Sequence, residues 1–290
     1  MRHLYECPMR WADLDLLGHV NNVVFVDYLQ EARVDMLRTH VPDGRAERLV
    51  GRPGEGIVVV RHLVEYLNPL SFRFRPVKIE CWVTELKAAS FTMAYEIFDE
   101  DDDGVRTTYA RASTVLTPYT FTTERPRRLT DAERQALGRF LEPAAPAAEL
   151  WSEPRDVAGG LYQLHVRFSD VDVYGHVNNV KYFEYFQEAR VQLLDSLGRE
   201  MPQEGGVGVV VARTEVGYRR PIHVRAQPYQ VRTWVSQVGN RSAVVDAEIT
   251  DEGTLLSRAR VVLVFFDPAT QRSVDPPPEV RARMLAMLEE

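Results

Sequence analysis

Arg10-Trp11-Ala12-Asp13-Leu14-Asp15-Leu16-Leu17-Gly18-His19-Val20-Asn21-Asn22-Val23 is written a second time as Arg167-Phe168-Ser169-Asp170-Val171-Asp172-Val173-Tyr174-Gly175-His176-Val177-Asn178-Asn179-Val180. Extended to Arg33 and Arg190, the two stretches agree at 14 of 24 positions, whereas unrelated segments of ordinary composition agree at about one in sixteen. This is a duplication, and the two halves share one fold. Further along, the offset between the copies shortens from 157 to 152 residues, pairing Arg61 with Arg213, Tyr66 with Tyr218, Pro69 with Pro221, Trp82 with Trp234 and Ser90 with Ser242. It shortens again to 147 near the end of each half, pairing Arg111 with Arg258.

At roughly 100 to 200 residues per domain, 290 residues suit two units. The boundaries expected are 1–142 for the first unit with a trailing helix, 143–160 for a Pro/Ala-rich linker, and 161–290 for the second unit with its own trailing helix. Hydrophobic residues at 45% can fill two cores, and charged residues at 27% are near balance, with a net charge of −7. Wholesale disorder is excluded. A mildly acidic chain has no global attraction for nucleic acid or an anionic membrane, so any phosphate-bearing ligand needs a local basic cluster. Only two cysteines are present, Cys7 and Cys81, in no paired spacing, which argues against a disulfide framework or a cysteine-rich zinc site. With no signal-like or membrane-length apolar run, the expected location is the cytoplasm.

Within one unit, Phe25, Tyr28, Leu29, Ala32 and Met36 recur at three- and four-residue steps, as do Tyr182, Tyr185, Phe186, Ala189 and Leu193. The spacing predicts a long helix just after the repeated stretch, with Asn21 or Asn22 and Asn178 or Asn179 accepting an amide proton at its start. Runs rich in β-branched residues follow at 56–66, 77–86, 91–98 and 109–116, matched by 207–218, 229–238, 243–250 and 255–266. The stretch Asp99–Gly104 aligns with the shorter Asp251-Glu252-Gly253, the mark of a hairpin tip that tolerates insertion. One strand, one long helix and several strands in a row argue an α+β class with the helix on one face of a largely antiparallel sheet.

Asp13-x-Asp15 and Asp170-x-Asp172, each followed by Gly-His-Val-Asn-Asn, bring carboxylates and an imidazole to a helix N-terminus, which carries positive partial charge. A calcium loop is disfavoured: the fifth position is Leu17 or Tyr174 and the twelfth Val24 or Lys181, where oxygen donors are needed. No Gly-x-Ser-x-Gly elbow is present. His19 and His176 lack a second histidine at helical spacing, so no metal site is assigned. A purely turn-forming role competes with a catalytic one, in which a carboxylate attacks or activates water while amides polarise a carbonyl.

The stretch Asp-x-Asp-x-x-Gly-His-Val-Asn-Asn, followed by a helix ending Gln-Glu-Ala-Arg and later by Tyr66-Leu67-Asn68-Pro69 and Tyr218-Arg219-Arg220-Pro221, resembles the hotdog-fold acyl-CoA thioesterases of the 4-hydroxybenzoyl-CoA thioesterase type. The likeness covers both halves. It implies two tandem hotdog units, each a curved antiparallel sheet wrapped around a long central helix, with acyl-CoA bound at the seam of the pair. The family's catalytic carboxylate falls on Asp15 and Asp172, as general base or nucleophile. His19 and His176 would orient the loop or a water, while Asn21, Asn22, Asn178 and Asn179 shape the helix start. Glu31 and Glu188 match a frequent family acid, although a buried ion pair with Arg33 or Arg190 explains them equally. Tyr28 and Tyr185 are candidate substrate-lining residues.

Where the family commonly has an acid after Tyr-x-x-Pro, this chain has Ser71-Phe72-Arg73-Phe74-Arg75-Pro76 and Ile222-His223-Val224-Arg225-Ala226-Gln227-Pro228. Guanidinium groups suit phosphates, which makes Arg73, Arg75 and Arg225, with Arg61 and Arg213, candidate contacts to coenzyme A, against the alternative of a solvated strand edge. The expectation is thus an acyl-CoA thioester hydrolase with two working sites and no cofactor beyond the coenzyme A of its substrate. Its units would pair within the chain, with further homo-oligomerisation left open. A non-catalytic acyl-CoA or acyl-carrier binding module is the alternative. A hotdog dehydratase is disfavoured because its Asp-x-Asn-Pro-x-x-His stretch is not found.

Overall fold

The computed structural model describes residues 1–40, 54–145, 151–158, 160–197, 206–270 and 272–289. The chain divides into two compact units, Met1–Ala147 and Ala148–Glu290. In the first, β1 (His3–Cys7) leads through a 3-10 turn at Trp11–Asp13 to α1 (Val24–His40). Strands β2 (Glu55–Tyr66), β3 (Val77–Leu86), β4 (Phe91–Glu100), β5 (Arg106–Thr120) and the short β6 (Arg125–Pro126) follow, and α2 (Asp131–Gly138) closes the unit. The second repeats this order as β7 (Leu161–Leu164), a turn at Phe168–Asp170, α3 (Lys181–Ser196), β8 (Gly208–Tyr218), β9 (Tyr229–Val238), β10 (Ser242–Asp251), β11 (Thr254–Asp267), β12 (Arg272–Ser273) and α4 (Pro278–Ala286).

Strand order is β1-β3-β4-β5-β2 in the first unit and β7-β9-β10-β11-β8 in the second, with every pairing antiparallel. The class is α+β, two hotdog units in tandem. Alternation explains the layering: Val77, Ile79, Cys81 and Val83 of β3 and Phe91, Met93, Tyr95 and Ile97 of β4 are buried, while most of the residues between them are not. The stripes on α1 and α3 are buried as their spacing predicts, and they extend to Val26, Leu37, Phe183 and Leu194. At the end of the second unit, Val280 and Met284 of α4 join Leu193, Leu194, Val245, Leu263 and Phe265 in one core cluster. In the first, Thr130 caps α2 and exchanges bonds with Glu133.

The duplication extends to backbone irregularities. Val60 and Ala212 each bulge out of register beside Arg61 and Arg213, and Thr84 and Ser236 do so in the next strand. Each of the latter two hydroxyls donates to the carbonyl across the bulge, Thr92 O or Val244 O, at 3.4 Å. A bulge adds bend and twist to a strand, which a sheet enclosing a helix needs. The β10–β11 hairpin turns on Glu252 and Gly253, both at positive φ. In the first unit the longer tip is held by Asp101 Oδ1, which accepts the amides of Asp103 and Val105.

Of the linker expected at 143–160, residues 146–150 and 159 lie outside the described residues, as does the longer helix-to-strand connection of the first half. Residues 151–158 make specific contacts on the second unit. Ser152 Oγ donates to Asp246 and accepts from Trp234 Nε1 at 3.1 Å, and Arg232 pairs with Asp156 at 2.9 Å. Among the described residues no helix is long and apolar enough to cross a membrane.

Candidate active site

The two aspartates of each repeated stretch have different surroundings. Asp13 is 1% exposed and Asp170 2%. Asp13 Oδ2 accepts the Arg10 amide at 2.7 Å and the Tyr28 hydroxyl at 2.6 Å; Asp170 Oδ2 accepts the Arg167 amide at 2.9 Å and the Tyr185 hydroxyl at 2.7 Å. The guanidinium of Arg10 or Arg167 caps the same carboxylate. Burial, reinforced by the bonded aspartate, pushes both tyrosine hydroxyls well above their ordinary range. This Arg–Asp–Tyr lock ties the 3-10 turn to the central helix. Tyr28 and Tyr185, expected to line the substrate site, thus have their hydroxyls committed to it.

The second aspartate belongs to the loop itself. Asp15 N donates to His19 O at 2.8 Å, and Asp15 Oδ1 accepts the amides of Leu17 at 2.8 Å and His19 at 3.3 Å. Asp172 repeats this, its N donating to His176 O at 2.9 Å and its Oδ1 accepting from Tyr174 N at 2.9 Å. Gly18 and Gly175, at φ +76 and +80, make the turn that leads back. Both aspartates are half-buried. Burial pushes the Asp172 carboxyl up, opposed by the Tyr174 amide and by His176.

Asn21 and Asn178 carry the chain into the helix. Their amides donate to Asp13 O and Asp170 O, their side-chain oxygens accept from Val23 N and Val180 N at 3.0 Å, and their carbonyls accept from Val24 N and Lys181 N. The carbonyls of Asn22 and Asn179 accept the hydroxyls of Tyr66 and Tyr218 at 2.8 Å. The tyrosine of each Tyr-x-x-Pro stretch therefore anchors the helix start, a role its spacing did not reveal. Four residues on, Leu70 O and Ile222 O take the amides of Val20 and Val177. Loop, helix start and the segment after Tyr-x-x-Pro form one assembly in each unit.

The remaining candidates lie elsewhere or are already engaged. Glu31 and Glu188 are exposed on their helices while Arg33 and Arg190 are buried. Exposed glutamates do not fit the buried ion pair offered for them, because residues two apart on a helix face different ways. Arg73 and Arg75 both reach Asp99, at 2.5 and 2.9 Å, and Arg225 grips Asp251 with two bonds of 2.8 Å while stacking on Tyr229. Asp99 and Asp251 are equivalent positions at the end of equivalent strands. Arg61 and Arg213 are half-buried beside the bulges of β2 and β8. Among the described residues no cluster of three His, Cys, Asp or Glu could hold a metal ion.

Two duplicated α+β units, each presenting a half-buried carboxylate on a loop that opens a central helix, define a tandem hotdog thioesterase. The family model described as the thioesterase-like superfamily matches residues 9–138 and 166–284, and the chain belongs to that family. It is similar to the long-chain acyl-CoA thioesterase FadM of Escherichia coli, 29% identical over 129 residues that make up 43% of this chain and 97% of that protein. Two solved structures share the fold across both units. One is the 12:0-ACP thioesterase from Umbellularia californica (TM-score 0.71, 19% identity, 92% of this chain and 94% of that one). The other is an acyl-ACP thioesterase from Bacteroides thetaiotaomicron (TM-score 0.64, 14% identity, 91% and 98%).

Proposed function

We propose that this thioesterase hydrolyses acyl-CoA, releasing a free carboxylic acid and coenzyme A, with Asp15 and Asp172 as the reacting carboxylates of two related sites. The observation that carries the reading is the way Asp15 is held: both amide bonds fall on Oδ1, and among the described residues Oδ2 carries no hydrogen bond. A carboxylate oriented through one oxygen keeps the other for a proton of water or for the thioester carbon. The neighbouring helix start supplies the positive end of a helix to the carbonyl oxygen as it gains charge. His19 and His176 would steady this loop. Coenzyme A is favoured over an acyl-carrier protein as the leaving group by the likeness to FadM, the relative whose identity is higher than that of the two carrier-protein enzymes. Arg75, 58% exposed despite its contact with Asp99, is the strongest candidate for a phosphate of the coenzyme.

The test is thiol release from a panel of acyl-CoAs by the parent chain and by Asp15→Asn, Asp172→Asn and the double variant. Loss of about 10²–10⁴-fold in the double variant is expected; undiminished hydrolysis overturns the reading, and binding without turnover by the parent chain would make it a binding module. A thiol-reactive dye reports coenzyme A cleanly here. Cys7 and Cys81 are buried, and burial pushes both thiols up to about 12, so neither presents a thiolate to the dye.

A further inference from the structure

We infer that His223 is a positioning residue for the second site, holding the His176 ring and through it the Asp172 loop, and that the first site works without a counterpart. This rests on the hydrolase reading above. The rings of His176 and His223 meet edge to face, 4.8 Å between centroids at 74°. That arrangement fixes one ring against another more firmly than bare contact does. His223 is itself clamped: the Tyr229 hydroxyl accepts from its amide at 3.3 Å and donates to its carbonyl at 3.0 Å.

Tyr229 is 4% exposed, and the Arg225 guanidinium lies 3.8 Å over its ring while bound to Asp251. One residue earlier, the Ile222 amide donates to the Tyr182 hydroxyl at 3.2 Å, and the Ile222 carbonyl accepts from Val177 N at 2.9 Å. The segment carrying His223 is thus pinned from the helix, from β9 and from the loop. In the first unit the equivalent positions are Ser71 for His223, Val77 for Tyr229 and Phe25 for Tyr182. All three polar side chains of the pin are missing there. That segment meets the loop through the amide of Val20 on Leu70 O, at 2.8 Å, the pairing of His19 with Ser71, and the edge-to-face contact of Phe72 with Trp11. Errors of about 1 Å in a reacting group can cost a hundredfold in rate, so the extra pin acts on turnover more than on binding.

The experiment uses the full chain with Asp15→Asn, which leaves the second site alone. His223→Ser is expected to lower kcat about tenfold or more with KM within about twofold, and Tyr229→Phe to do the same by releasing the clamp. His223→Phe, which keeps a ring against His176, is expected to recover most of the loss. Melting temperatures are read alongside, so that a loss of fold is not taken for a loss of positioning. Unchanged kcat in folded His223→Ser overturns the inference, as does His223→Phe being no better than His223→Ser, or absence of turnover in the Asp15→Asn chain. Turnover that survives Asp15→Asn with Asp172→Asn overturns the hydrolase reading instead.

Discussion

At four matched core positions, the first unit carries its larger side chains on the sheet and the second carries them on the helix. Buried positions of β2 and β4 hold His62 and Tyr95 in the first unit, where the second has Thr214 and Ala247. Along the helix the first has Val26 and Leu29, where the second has Phe183 and Phe186. Polar bonding follows the same division. His62 and Thr114 bond to each other at 2.8 Å deep in the first core, while the second replaces them with Thr214 and Val261, and the Thr214 hydroxyl finds no partner among the described residues. Near the loop the contrast reverses. The second unit adds His223, Tyr229 and Tyr182, and the first carries an edge-to-face file in which the half-buried Phe72 lies between the exposed Trp11 and Phe74. What does not vary is the Arg–Asp–Tyr lock, the asparagine turn, the tyrosine on the helix start and the paired bulges. Those invariant contacts hold the carboxylate loop; the interior and the loop's outer wall have diverged around it.

If bulk has moved between sheet and helix, the same position should respond in opposite ways in the two units. Tyr95→Ala removes a fully buried ring and is expected to cost about 3–5 kcal/mol, read by denaturant unfolding. Ala247→Tyr forces a ring into a space that larger helix residues already serve and should cost about 1–3 kcal/mol. A stabilising Ala247→Tyr would mean that the second core contains a hole rather than a transposed side chain.

The locks should behave alike, which tests the invariant half of the comparison. Tyr28→Phe and Tyr185→Phe each delete one hydrogen bond to a buried carboxylate, expected to lower stability by about 2 kcal/mol. The bonds differ by only 0.1 Å, at 2.6 and 2.7 Å. A loss in one unit with none in the other would show that the loops are held differently despite matching geometry.

Much of this was legible in the sequence. β3 and β9 span the expected residues, and the helices start where the repeat ends, because alternation and three-to-four spacing are local signals. The sequence predicts β1 and β7 only as a strand before the helix, since five and four residues carry too little pattern to place. Both aspartates could be picked out as chemistry-bearing, but their division of labour became visible only with Arg10, Tyr28 and the loop amides in place. The arginines after Tyr-x-x-Pro show the limit from the other side. Their charge suggested phosphate, and only the folded hairpins bring Asp99 and Asp251 to them. His223 stood in the quoted stretch without a reason to notice it, because its partner His176 is 47 residues away.

The smallest expected effect separates the reacting role proposed for Asp172 from its effect on the fold. Burial raises its carboxyl above the ordinary aspartate range, so the folded chain holds that proton more tightly than the unfolded chain. Stability from this group is therefore present below the unfolded value, near 4, and is lost as pH rises through the higher folded value. At neutral pH the ionised carboxylate is a cost to the fold, and Asp172→Asn should raise the melting temperature slightly relative to the parent, with the gain fading in acid. Activity runs the other way, because a general base or nucleophile works only when ionised. In the Asp15→Asn chain, the acid limb of kcat/KM should lie above the ordinary aspartate value. A variant that melts lower at neutral pH, or an acid limb at or below that value, would place Asp172 in surroundings unlike those described. Asp172, half-buried and held through a loop amide, contrasts with Asp170, two residues away, which is buried and bonded to Arg167 and Tyr185, the division expected if the first reacts and the second holds the loop.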